Sequence, residues 1–264
     1  MLRILWVPEY AEIGNAYGYS THMKNTRRGL ERRDDVELVK DKEKADIAVD
    51  INTPHNWRPV EGLPNVLFTM YEATTIPEQW IEPLNQADLV VTPTAFNKAL
   101  LGRYRKGPIR TCWEGMWPDK FTFYQREFPK DGPFIFLWVG ASNPRKGYQH
   151  MGYAWEHLKE IAPDVHRNSV LVMKTTQEGQ EERVIEYGNL RIDTHDYPLE
   201  KLVALYQMSH AFVFPTMGEG WGLTMHEAAA TGLPVVYTDW SAPHDWFPRK
   251  YGYPVKHGMM RLTV

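Results

Sequence analysis

A single cysteine, Cys112, stands among the 264 residues. It excludes an intramolecular disulfide and any zinc site built from cysteines alone, and it fits a reducing cytoplasm. No apolar run is long enough to cross a bilayer. The opening Met1-Leu2-Arg3-Ile4-Leu5-Trp6-Val7-Pro8 is too short for a signal peptide or a span and reads as a first buried strand. Net charge is only −3 and the pI about 6.4, so no global field draws the chain to nucleic acid or an anionic membrane. The local basic run Lys24, Arg27, Arg28, Arg32 and Arg33 reads as a solvated helix face. Low-complexity segments and short-period repeats are missing. So are HExxH, paired CxxC, Walker A and GxSxG patterns, which leaves no metal ligand set and no cofactor to expect.

What is present is a globular composition. Hydrophobic residues make up 43%, enough for a substantial core, and the length allows one large or two small domains. Ten tryptophans and fourteen tyrosines can stack on sugars and bases, although most aromatic side chains simply pack.

Short apolar runs alternate with helical patterns from end to end. Strands are expected at Ile4–Val7, Ala45–Asp50, Asn65–Met70, Leu89–Thr92 and Arg110–Trp113. A second series is expected at Phe134–Val139, Ser169–Lys174, Leu190–Asp193, Ala211–Phe214 and Pro234–Thr238. Helices are expected at Thr21–Arg33, Ala95–Tyr104, Gln149–Ile161, Pro198–Ser209 and Leu223–Thr231. Continuous β-branched and aromatic strands separated by helices indicate doubly wound α/β architecture with parallel sheets. The polar, Pro- and Gly-broken stretch Gln125–Gly132 divides the two series, giving an N-terminal domain at 1–128 and a C-terminal domain at 129–264.

The most informative segment runs from Phe212 to Glu227, FVFPTMGEGWGLTMHE. It reads as a buried strand ending in a glycine loop that opens directly into a helix. Gly220 and Gly222 let the backbone approach phosphate oxygens, and the amides of Gly222, Leu223 and Thr224 at the helix start point at them with the helix dipole behind. Glu219 and Glu227 bracket the loop with seven residues between them. An acidic side chain near a phosphate site binds sugar hydroxyls in dinucleotide sites. The alternative is an ordinary βαβ unit with turn glycines and two solvated glutamates.

This segment, with its continuation Ala228-Ala229-Ala230-Thr231-Gly232-Leu233-Pro234-Val235-Val236-Tyr237-Thr238-Asp239, resembles the glutamate–seven–glutamate motif of retaining GT-B glycosyltransferases, the family 4-like group 1 enzymes. The resemblance implies two Rossmann-like domains facing across a cleft, with a nucleotide-diphosphate sugar, UDP- or GDP-linked, held on the C-terminal domain. Glu219 would then bind hydroxyls of the transferred sugar, Glu227 the ribose, and Trp221 would line the donor. The aspartate–any–aspartate pattern of metal-dependent GT-A transferases is absent, so transfer is expected to be metal-independent. Few residues follow Asp239, which reads as a shortened C-terminus, as in compact phage-type members or a truncated chain.

Further loops carry candidates. Gly140-Ala141-Ser142-Asn143-Pro144-Arg145-Lys146-Gly147 follows a strand, and Arg145 and Lys146 would stabilise a departing diphosphate; read without the resemblance they are a solvated turn. Family members often carry arginine where Ala141 stands. Gly14 to His22 looks like the family's first glycine loop, with Gly18 and Tyr19 facing the donor phosphates. His22 is either an acceptor-side group or a satisfied surface histidine. Glu72 fits either an acceptor hydroxyl or a helix cap. Lys174, His195 and Tyr197 sit where the nucleotide would be framed, although Tyr197 also fits a core role. Glu114 is a weaker candidate. The acceptor would be a hydroxyl on a glycan, a lipid-linked sugar or a DNA base, the last as in phage enzymes of an infected cell. A silent nucleotide-sugar-binding module and an oligomer stay open as alternatives.

Overall fold

The structure is a computed structural model that describes residues 1–7, 18–176 and 181–259. The chain divides into two compact units: Met1–Gly115 with Glu219–Trp221, and Met116–Gly218 with Gly222–Val264.

The first unit holds β1 (Leu2–Trp6), α1 (Gly18–Glu31), β2 (Val36–Val39), β3 (Ile47–Ile51), β4 (Asn65–Phe68), α2 (Ile81–Gln86), β5 (Leu89–Thr92), α3 (Ala95–Leu101) and β6 (Ile109–Thr111). Its six strands lie in the order β2-β1-β3-β4-β5-β6, every pair parallel. A parallel sheet needs both faces covered, which is why its strands read as continuous apolar runs. One face packs Leu67 and Val90 against Trp57, Trp80, Leu84, Leu100 and Leu101. Two elements escaped the sequence reading. β2 has four residues between charged neighbours, and α2 has six with Pro83 inside. Both are too short to show a period. Thr94 caps α3 by accepting from Asn97 N, and the helix ends at Leu101 rather than Tyr104 because Gly102 takes the C-cap.

The second unit holds β7 (Phe134–Ala141), α4 (Tyr148–Ile161), α5 (Pro163–Arg167), β8 (Ser169–Thr176), β9 (Val184–Tyr187), β10 (Leu190–Asp193), α6 (Leu199–Met208), β11 (Ala211–Phe214), α7 (Leu223–Ala230), β12 (Val235–Thr238), α8 (Ala242–Trp246) and β13 (Gly252–Val255). The sheet order is β13-β12-β11-β7-β8-β10-β9, and only the β9–β10 hairpin is antiparallel. The unpredicted β9 and β13 are the two edges of this sheet. Pro254 in β13 is tolerated because an edge strand needs only one side of its ladder. Phe212 and Phe214 of β11, Leu137 of β7 and Val235 of β12 build the core with Tyr206, Met225 and Ala228.

Residues 116–128 lie with the second unit, whereas the polar stretch Gln125–Gly132 gave an expected boundary at 128. The reason is side-chain chemistry. Phe121 enters the second core, and Arg126 donates to the carbonyls of Tyr206, Ser209 and Thr231.

From β7 the chain winds one way through β8 to β10, then crosses to β11 and winds the other way to β13, so the parallel neighbours β7 and β11 flank the sheet's topological switch point. Loops leaving the carboxyl ends of two such strands form the crevice where doubly wound sheets bind ligands.

Candidate active site

The two loops at this switch point are laced together. After β7, Asn143 accepts from Lys146 N at 3.0 Å and shapes the turn Pro144–Lys146. Gly147 follows with φ 72°, where a Cβ would run into the Pro215 carbonyl, so glycine is required there. Met217 N and Thr216 Oγ1 donate to the Arg145 carbonyl at 2.7 and 3.1 Å. The Arg145 guanidinium returns a bond from Nη1 to the Gly218 carbonyl at 2.7 Å. Trp240, beyond β12, donates from Nε1 to the Met217 carbonyl at 2.9 Å. Thus the expected phosphate loop, the glutamate loop and the β12 exit form one hydrogen-bonded surface. Arg145 is part of that lacing and not the solvated turn residue of the alternative reading. Lys146 beside it is half-buried.

Gly222 opens α7 with φ 97°, and its carbonyl takes the first helical bond from His226 N. Only glycine adopts that conformation without strain. Leu223 and Thr224 form the first turn and are half-buried. Glu227 is buried one turn further on, and its Oε2 accepts from the Tyr206 hydroxyl at 2.9 Å. Burial pushes its carboxyl up to about 7, against the Tyr206 bond, which lowers it. Tyr206 was not a candidate from sequence: its spacing on α6 marks it only as core. Glu219, Gly220 and Trp221 are likewise buried, which removes the reading of Glu219 and Glu227 as solvated glutamates.

On the other side of β7, Lys174 is buried at the end of β8, where Nζ donates to the Thr175 carbonyl and lies 4.9 Å from the Tyr197 ring centre. Burial lowers its pKa. Asp193 on β10, in register with Lys174, organises the other two candidates. Tyr197 donates to Asp193 Oδ2 at 2.6 Å, and His195 Nδ1 stands 2.9 Å from Oδ1. Burial alone would raise the Asp193 pKa, but these hydrogen bonds outweigh it and hold the group below the usual range. Tyr197 is half-buried, with its ring flanked by Lys174 and Lys201, so it is not a core residue.

In the first unit, Gly14–Tyr17 of the expected glycine loop lie outside the described residues. Gly18 has open space among the described residues where a Cβ would stand. The Tyr19 hydroxyl reaches the Met70 carbonyl at 3.2 Å and Thr69 Oγ1 at 3.4 Å, at the exit of β4. Burial and the nearby charges of Glu72 and Glu114 raise its pKa. His22 is not a surface histidine. It is buried with its ring edge-on to Phe68 at 4.4 Å, and its Nδ1 stands 3.5 Å from Glu114 Oε2. Burial lowers its pKa to about 3, so the imidazole is neutral at physiological pH. Its Nε2 is buried and has no hydrogen-bond partner among the described residues. Glu72 is half-buried beside Tyr71, whose pKa rises through burial and through the Glu72 charge. The structure therefore gathers Tyr19, His22, Glu72 and Glu114 around the end of β4, and Glu114 is fully buried there.

Among the described residues, no group of three or more His, Cys, Asp or Glu is placed to hold a metal ion, and no helix is long and apolar enough to cross a membrane.

Residues 133–257 match the family described as glycosyl transferases group 1. A stretch of 107 residues is 31% identical to the serotype-specific mannosyltransferase WbdA of Escherichia coli, covering 39% of this chain and 13% of that protein. The structure of WaaG, a glycosyltransferase involved in lipopolysaccharide biosynthesis, superposes with a TM-score of 0.65 at 14% identity over 98% of this chain and 87% of that one. A sucrose-phosphate synthase from Thermosynechococcus elongatus gives 0.61 at 17% identity over 81% and 61%. At these identities the structural likeness is one of fold: two Rossmann-like α/β domains of the GT-B type.

Proposed function

We propose, for this GT-B-fold member of the group 1 glycosyltransferase superfamily, that it moves a sugar from a nucleotide-diphosphate sugar to an acceptor hydroxyl with retention of configuration. One observation carries the reading. The glutamate loop after β11 is tied through Arg145, Thr216 and Met217 to the cationic loop after β7, at the sheet's switch point and inside the family match. A diphosphate placed there meets Lys146, the Arg145 guanidinium and the first amides of α7. Glu227 takes the ribose hydroxyls and Glu219 those of the transferred sugar. Lys174, His195 and Tyr197 frame the nucleotide.

The acceptor hydroxyl attacks the anomeric carbon on the face the diphosphate leaves, and the leaving phosphate oxygen takes its proton. Catalysis then rests on positioning and on charge stabilisation by Lys146 and Arg145. Tyr19 is the first unit's candidate for donor binding, and His22 and Glu72 are its candidates for the acceptor, which is a glycan or lipid-linked sugar. The reaction is placed in the cytoplasm, where a lone thiol stays reduced.

The test is a panel of UDP- and GDP-sugars in thermal-shift and donor-hydrolysis assays, with wild type, Lys146→Ala and Glu227→Ala. Stabilisation by one donor, lost in both variants, supports the site. Folded wild-type protein that neither binds nor cleaves any donor refutes it.

A further inference from the structure

We infer that Tyr206 is a positioning residue that sets the Glu227 carboxylate for ribose binding, an inference that rests on the donor-site reading above. Tyr206 is fully buried on α6, its ring centre 5.9 Å from those of both Phe121 and Phe212. Its backbone is held as well: the carbonyl accepts from Arg126 Nη2 at 3.0 Å. The hydroxyl is therefore delivered at a fixed place. It has two acceptors within reach, Glu227 Oε2 at 2.9 Å and the Thr224 carbonyl at 3.2 Å.

A phenol carries one proton. The shorter, charge-assisted bond to an ionised Glu227 wins it. A free glutamate side chain gives up about 1.5–2 kcal/mol of rotamer entropy when it is fixed. Tyr206 fixes Oε2 before any ligand arrives, so less ordering is left for the binding step. The other oxygen, Oε1, takes no hydrogen bond among the described residues, and Glu227 keeps 9% of its surface exposed. A phenylalanine would fill the same core volume. The hydroxyl thus serves the glutamate, not the packing.

The experiment is calorimetric titration of the full chain with UDP and GDP, each against its 2′,3′-dideoxy counterpart, which lacks the ribose hydroxyls. For the nucleotide that binds, wild type is expected to prefer the ribose form at least tenfold. Glu227→Ala should abolish that preference. Tyr206→Phe should reduce it at least threefold while leaving affinity for the dideoxy form unchanged. Replacing Tyr206 with 3-fluorotyrosine, which keeps the fold and donates more strongly, should retain the full preference. Two results overturn the inference and leave the donor site standing: Tyr206→Phe keeping the wild-type preference while Glu227→Ala loses it, or Tyr206→Phe weakening both forms equally. A Glu227→Ala protein that keeps the preference overturns the donor-site reading itself, and so does a wild type that binds neither nucleotide. Should Tyr206→Phe not fold, loss of preference in the 3-fluorotyrosine protein overturns the inference.

Discussion

Arg126 donates from Nη1 to the Thr231 carbonyl at 2.6 Å, and from Nη2 to the Thr231 hydroxyl at 3.2 Å. The same guanidinium reaches the Tyr206 and Ser209 carbonyls at 3.0 and 2.9 Å. One cation thereby satisfies the carboxyl ends of both α6 and α7, where helix dipoles leave partial negative charge and unpaired carbonyls. These are also the helices that carry Tyr206 and Glu227.

Arg126→Ala is expected to destabilise the protein by about 2–4 kcal/mol, since charged hydrogen bonds contribute about 1.5–3 kcal/mol each and do not add fully. Arg126→Lys should lose less, because it keeps the charge but not the fork. Urea unfolding of the three proteins measures this. A loss below about 0.5 kcal/mol for Arg126→Ala would mean that water replaces the guanidinium at no cost.

Gly147→Ala should be far more damaging than its one methyl suggests. The left-handed φ of 72° costs a non-glycine residue about 1–2 kcal/mol, and the new Cβ meets the Pro215 carbonyl, which is backbone and cannot swing away. The expected outcome is a loss of more than about 2 kcal/mol together with weakened donor binding, because Pro215 leads into the glutamate loop. Gly18→Ala is the control: open space among the described residues predicts a change within about 0.5 kcal/mol. Equal stabilities for the two variants would contradict this geometry.

The pH dependence of stability has a signed contribution from Glu227. Its carboxyl is raised from 4.5 to about 7 by burial, so between those values the folded state holds a proton the unfolded state has released. That stability is fully present below 4.5 and is lost as pH rises through about 7, a change on the order of 3 kcal/mol. His22 acts in the opposite sense. Lowered from 6.5 to about 3, it contributes stability that is present above 6.5 and lost as pH falls toward 3. Comparing wild type with Glu227→Gln cancels His22. The variant should gain on wild type between pH 5 and pH 8 in urea unfolding, and a constant difference would mean that Glu227 is not desolvated.

Lys146 and Arg145 should separate under mutation. Lys146→Ala is expected to lower transfer by about 10²–10³, the usual effect of removing one group that stabilises leaving-group charge, with stability changed by less than about 0.5 kcal/mol. Arg145→Ala should impair both activity and folding, because it removes the bond to Gly218 that ties the two loops. Turnover and urea midpoints measured on both proteins decide it. Identical profiles would place both cations in the same role.

Much of this fold is legible residue by residue. The runs FIFLWV and AFVF could only be buried strands, and the glycine loop between Phe214 and Leu223 announces a strand–loop–helix turn because few other sequences tolerate that backbone. The short edge strands β2, β9 and β13 were not legible, since four residues show no period and their pairing supplies what local preference does not. The same holds for the division of the chain: Gln125-Arg126-Glu127 looks like a linker until Arg126 meets carbonyls 80 and 105 residues away in sequence.

The sequence by itself determined the alternation of strands and helices, the positions of the turn glycines and the identity of the groups at the switch point. These follow from local sterics and side-chain periodicity, which act over a few residues. Only the tertiary structure decided which candidates are charged, held or exposed. It buried His22 beside Glu114, drew Arg145 onto Gly218 and set Tyr206 on Glu227. Those outcomes depend on desolvation and on partners distant along the chain, and neither is encoded at any one position.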